Sequence, residues 1–163
     1  MTAYELQDDL ISELKAIFKG FQLKTPLLTT ENQSTYSEPN IFSQNLPVRE
    51  DDNEEDDPYP YVIVKVDSAS IARNKSLIKT RLMIGVFDDA PGNNGHKDIL
   101  NIIQKIYDRF SRSPILAGKY VMKDDIENPL VWVIHEEDLY PYYFGAIDIV
   151  WETATIGRES KFI

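Results

Sequence analysis

The first apolar rhythm along the chain has the period of a helix. Leu6, Leu10, Ile11, Leu14, Ile17 and Phe18 recur at three- and four-residue steps, one stripe of a helix over about Ala3–Lys19. Thr2 followed by Glu5 is the spacing of a capping box, and Gly20 suits the left-handed residue that ends a helix. The acids stand early and Lys15 and Lys19 late, as the helix dipole favours. A second stripe (Ile99, Ile102, Ile103, Ile106, Tyr107, Phe110) predicts a helix over about His96–Phe110, stopped by Ser113-Pro114. Elsewhere the period drops to two. Tyr61–Val66 and Leu77–Phe87 are rich in β-branched and aromatic residues and read as strands, with the polar stretch Asp67–Ser76 as the loop joining them. Asp88–Gly95 is a dense turn signal before the second helix. Further strands are predicted at Lys119–Lys123, Val131–His135 and Tyr143–Glu152; in the last, Gly145, Ile147 and Ile149 alternate with Phe144, Ala146 and Asp148.

Two apolar-faced helices and a set of strands are satisfied together by one sheet that the helices cover. The predicted fold is therefore α/β of the α+β kind: a two-layer sandwich of a mixed, mainly antiparallel sheet of about four to five strands under two helices. Residues 1–20 supply the first helix of the core domain, 58–153 the main core, and 154–163 a loose tail. Residues 21–57 read as a long extended arm. Pro26, Pro39 and Pro47 interrupt this stretch, with Pro58 and Pro60 just after it, leaving two apolar patches, Leu27-Leu28 and Ile41-Phe42, as an edge strand and an anchor. A connection of about forty residues far exceeds the usual 2–6, and points to an arm that orders against a neighbouring molecule. It ends in Glu50, Asp51, Asp52, Asn53, Glu54, Glu55, Asp56 and Asp57, seven acids in eight residues. Like charges this dense are expected to stay solvated and mobile in the isolated chain. Their functional reading is docking on a basic neighbour, or lining a passage that DNA must cross without sticking.

Composition narrows the function classes. The chain has 163 residues, 42% hydrophobic and 27% charged, the mix of a single globular domain. Its net charge of −10 disfavours non-specific nucleic-acid binding, which needs a cationic surface. No apolar run reaches the ~18 residues of a membrane span, and the N-terminus lacks the basic region of a signal peptide. With no cysteine there is no disulfide, thiol nucleophile or thiolate metal site, so folding in a cytoplasm is expected.

The sequence offers few catalytic parts. His135-Glu136-Glu137-Asp138 has the residue types of a hard-metal or acid/base cluster, but neighbours on a strand point to opposite sides, and the group reads as a solvated strand end. His96 reads as a surface residue at a helix start, where the dipole disfavours its cation. Asp88–Gly95 lacks both the spacing of a calcium loop and the Lys-Ser/Thr of a phosphate loop, and there is no G-x-S-x-G elbow. The expectation is a protein that is not an enzyme, with no catalytic residue, cofactor or metal. Tyr59, Tyr61, Tyr140, Tyr142 and Tyr143 form the candidate interface, since tyrosines combine contact area with a polar tip. They serve equally well as a cap on one end of the sheet.

Three ordered patterns carry a resemblance. Pro58-Tyr59-Pro60-Tyr61-Val62-Ile63-Val64, then Ile84-Gly85-Val86-Phe87-Asp88-Asp89 with Gly95-His96-Lys97-Asp98-Ile99-Leu100, then Tyr140-Pro141-Tyr142-Tyr143-Phe144-Gly145-Ala146 together resemble the tail terminator or tail completion proteins of tailed bacteriophages and prophages of Gram-positive bacteria. The resemblance spans roughly Tyr59–Thr153. It implies a virion structural protein of the tail or neck, assembled in the host cytoplasm. Such a protein forms a ring, usually hexameric, that caps the tail tube, stops its polymerisation and offers a surface for head–tail joining. The implied partners are copies of itself, the tail tube protein, the sheath protein in a contractile tail, and the head–tail connector; DNA passes through the lumen without specific binding, and no membrane is involved. A neck connector or head-completion protein is the alternative, with an acidic module that mimics DNA as a further one.

Overall fold

A computed structural model describes residues 2–48, 57–123 and 129–154. The element order is α1 (Ala3–Ile17), β1 (Leu23–Leu28), β2 (Ser34–Ser37), β3 (Asn40–Ser43), β4 (Tyr61–Ile71), β5 (Lys75–Phe87), α2 (His96–Arg112), β6 (Ile115–Leu116), β7 (Tyr120–Met122), β8 (Leu130–Ile134) and β9 (Tyr142–Ala154). The first helix begins as its sequence predicts. The Thr2 hydroxyl accepts from the Glu5 N–H at 3.1 Å, and the Glu5 carboxylate accepts from the Thr2 N–H at 3.2 Å. Gly20 takes φ +80°, and its N–H donates to Glu38.

Among the described residues the main sheet has seven strands in the order β3-β4-β5-β9-β7-β6, with β8 also on β9. Only β3 against β4 is parallel; every other pair is antiparallel. Strands β7 and β8 lie in succession along the same side of β9. The Lys123 N–H donates to the Val150 carbonyl at 2.9 Å and the Val150 N–H to the Pro129 carbonyl at 3.2 Å, so both strands meet β9 at the same residue.

Both helices lie on one face of this sheet. Leu6, Leu10, Leu14 and Phe18 of the first stripe and Ile99, Ile102, Ile106 and Phe110 of the second are all at most 1% exposed. They pack on Val62 and Val64 of β4, Leu82, Ile84 and Val86 of β5, and Ile147, Ile149 and Trp151 of β9. Each such side chain removed from water contributes about 1.5–3 kcal/mol. Arg109 of α2 pairs with Glu13 of α1, fixing how the helices sit against each other.

The α+β class, the mixed and mainly antiparallel sheet and the two covering helices agree with the sequence reading. The strand count of four to five is corrected to seven in the main sheet, with β1 and β2 forming a separate hairpin. The segment read as an extended arm is more folded over its described part. Ile41, the expected anchor, sits in β3 opposite Val62 and packs on the core, while Leu27-Leu28 ends β1 in the hairpin. A four-residue strand that pairs in parallel with a partner twenty-one residues ahead carries almost no local signal. Excision of residues 33–57 would therefore remove an edge of the sheet, not only an appendage. The predicted loop Asp67–Ser76 is also corrected. Ladder pairing continues to Ile71 opposite Ser76, with the Ala72 N–H closing the turn on the Lys75 carbonyl and a bulge at Asp67.

Candidate interaction surface

The face of the sheet away from the helices is set by strand alternation. On β4, Val62 and Val64 face the helices, so Tyr61 and Ile63 face the other way. The register then puts Phe42 beside Ile63, Met83 and Gly85 beside Ile63 and Tyr61, and Ala146 and Phe144 beyond them; Val131 and Val133 of β8 complete the row. Among the described residues no helix covers this face. Tyr61 is nonetheless only 7% exposed, because an aromatic ring lies over it, and Ile63 is 6% exposed.

The cover is Tyr59. Its ring centroid lies 5.1 Å from Tyr61, 4.8 Å from Tyr142 and 6.2 Å from Phe144, and Phe87 adds a contact to Tyr142 at 5.6 Å. Burial pushes the Tyr59 hydroxyl far above its ordinary ionisation range, with Tyr61 as the next cause. Gly85 makes this stacking possible. A Cβ there would lie 2.4–2.7 Å from the Tyr61 ring and hydroxyl. The Asp57 carboxylate accepts from the Tyr59 N–H at 3.0 Å and orients the entry to the strand.

The five candidate tyrosines thus divide. Tyr59, Tyr61 and Tyr142 form one stack on the uncovered face. Tyr143 points to the helix side, where its ring lies where a Cβ on Gly95 would be and its hydroxyl bonds Asn93. Tyr140 donates to the Asp89 carbonyl. These last two bind the β5–α2 turn to the start of β9 and serve the fold. Of the acidic run, Asp57 is described; Glu50, Asp51, Asp52, Glu54, Glu55 and Asp56 lie outside the described residues.

Beside the stack, Met83, Val133, His135, Glu136, Phe144 and Ala146 border an open groove of about 450 Å³. His135 stands edge-on to Phe144 at 6.2 Å, with its Nε2 3.7 Å from Glu137. The Asp138 carboxylate accepts from the Tyr140 N–H at 3.2 Å. Among the described residues no three His, Asp or Glu side chains converge as a metal set. Farther along the same face a charged pair takes over, Arg81 Nε lying 2.8 Å from Asp148 across the β5–β9 ladder.

Sequence reasoning missed the exposed part of this surface. Val131 and Val133 are 49% and 59% exposed and Met83 is 38% exposed, while Trp132, on the opposite side of the strand, is 49% exposed. An unbroken apolar run on a strand ordinarily reads as burial on both faces. Here it lies at the edge of a sheet.

The acidic end of the molecule carries a pH effect. Burial, and then the Asp88 carboxylate, raise the Asp98 carboxyl above the ordinary 3.8. From 3.8 up to that raised value the folded chain holds more protons than the unfolded one, so this group's contribution to stability falls as pH rises. Asp98→Asn is expected to raise the urea midpoint at pH 7 and to lose that advantage at pH 3; an equal gain at both would show that ionisation is not the cause.

Compared with known proteins, the sequence matches no protein-family model and no curated protein.

Proposed function

We propose that this chain is a structural ring protein of a bacteriophage tail, a tail terminator that caps the tube and offers a surface for head–tail joining. The observation that carries the reading is the convergence of the three patterned segments. Pro58–Val64, Ile84–Asp89 and Tyr140–Ala146 are far apart in the chain, yet they lie at one end of three adjacent strands, β4, β5 and β9. Tyr61 of the first lies over the Cα of Gly85 in the second, and Tyr59 of the first packs on Tyr142 of the third. The phage tail resemblance takes its support from this fit between segments distant in the chain.

An apolar sheet face left without a helix suits a protein that works beside copies of itself. Ring assembly asks for heterologous contacts that close, in contrast to the open helix of a tube. The net charge of −10 favours a lumen that does not retain DNA.

The test is removal of the protein from the phage or prophage that encodes it, followed by negative-stain microscopy. Overlong tubes are expected. Tails of normal length without heads would instead identify a neck connector, and unchanged virions would end the assembly reading.

A further inference from the structure

Among the described residues, strand β8 is a sheet edge with no protection. Its sequence, Leu130-Val131-Trp132-Val133-Ile134, holds no charge, proline or glycine, the usual devices that stop an edge from pairing. The ladder to β9 fixes which backbone groups are free. Pro129 accepts from Val150, and the His135 N–H donates to the Phe144 carbonyl at 3.0 Å. Alternation then turns Val131 and Val133 toward β9 and leaves the amides and carbonyls of Leu130, Trp132 and Ile134 pointing off the sheet.

The opposite edge is β3, equally uncharged. The Asn40 N–H donates to the Pro60 carbonyl at 2.8 Å and the Gln44 N–H to the Val64 carbonyl at 2.9 Å, so Asn40, Phe42 and Gln44 bond inward. Ile41 and Ser43 therefore face outward, and among the described residues only the Ser43 carbonyl is engaged, by Asn45.

These edges are complementary in three respects. Following the sheet from β3 through β4, β5 and β9 to β8, the two edge strands run in opposite directions, so laying copies side by side pairs them antiparallel. The outward residues of both are on the helix side: Ile41 packs on the same core as Leu130 and Ile134. Joining them thus keeps the helices of both copies in one layer. Setting Ile41 opposite Trp132 places Phe42 opposite Val131 on the other face, apolar against apolar on both sides.

We infer that β8 of one copy adds to β3 of the next, making one continuous sheet around the ring. This rests on the ring reading and assigns its contact. Head-to-tail pairing of unlike edges propagates around a closed circle, whereas β8 against β8 about a two-fold stops at a dimer and leaves β3 open.

The chain has no cysteine, so introduced thiols are the only ones. Phe42 and Val131 would form a non-hydrogen-bonded pair with Cα atoms about 4.5 Å apart, within disulfide range. Mild oxidation of mixed Phe42→Cys and Val131→Cys proteins is expected to give a covalent dimer, with neither variant cross-linking alone. The double variant is expected to give a ladder ending in a closed ring. On the unmodified protein, hydrogen exchange at Ile41 and Trp132 is expected to slow at least tenfold from dilute to concentrated solution. Rings seen by native mass spectrometry without this cross-link or protection would overturn the edge assignment and leave the ring reading standing. Cross-linking of Val131→Cys with itself would replace the assignment by a two-fold dimer. A monomer at every concentration would overturn the ring reading and the assignment with it.

Discussion

Trp151→Ala is expected to cost about 3–5 kcal/mol of unfolding free energy, read as a lower urea midpoint at unchanged slope. The Trp151 ring is fully buried and meets Phe110 of α2 edge-on, with centroids 5.0 Å apart. Its Nε1–H donates to the Thr80 hydroxyl at 3.0 Å, and that hydroxyl donates to the Ile149 carbonyl at 3.1 Å. Truncation therefore leaves a cavity between helix and sheet and takes a partner from a fully buried threonine. Against a total of about 5–15 kcal/mol for a domain, this is a large fraction. Thr80→Val isolates the polar part, since it strands the indole N–H, and is expected to cost about 1–3 kcal/mol. The control is Trp132→Ala at a half-exposed edge site. If both tryptophans cost the same, Trp151 is not the anchor described.

The second large effect is at Gly145. A Cβ there would lie 2.6 Å from the Ile99 Cγ2 and 3.2 Å from the Val133 carbonyl oxygen. Ile99 is fully buried and stiff at χ1, and the carbonyl belongs to the β8 backbone, so neither neighbour can swing aside. Gly145→Ala is expected to destabilise by about 1–3 kcal/mol through overpacking. Ile99→Leu removes the offending branch methyl, so the double variant should cost less than the sum of the singles. Strict additivity in the urea midpoints would show that α2 does not press on β9 here.

This glycine marks how much the sequence discloses. The apolar stripes of α1 and α2 are local, repeat at a period the backbone imposes, and were legible, as was the capping box of α1. The alternation of Gly145, Ile147 and Ile149 was legible for the same reason. Gly85, Gly95 and Gly145 stand in the patterns that carry the phage-tail resemblance, but why they are glycine is not visible along the chain. Each makes room for a side chain from a distant element: Tyr61, Tyr143 and Ile99 respectively. The candidate tyrosines show the same division. Five were found by composition and proximity to proline, and only the strand register separates the stack of Tyr59, Tyr61 and Tyr142 from Tyr140 and Tyr143, which secure the turn.

The chain by itself determined the helices, the principal strands, the α+β class and the excess of acid, because each depends on a residue's own propensity, its neighbours within a few positions, or a simple sum of charge. The tertiary structure alone decided that Ile41-Phe42 forms a parallel edge strand, that the ladder of β4 and β5 runs on through a polar stretch, and that Val131–Ile134 lies at an edge. Those features depend on which distant segment supplies the hydrogen bonds, and long-range pairing has no fixed separation along a sequence from which it could be read.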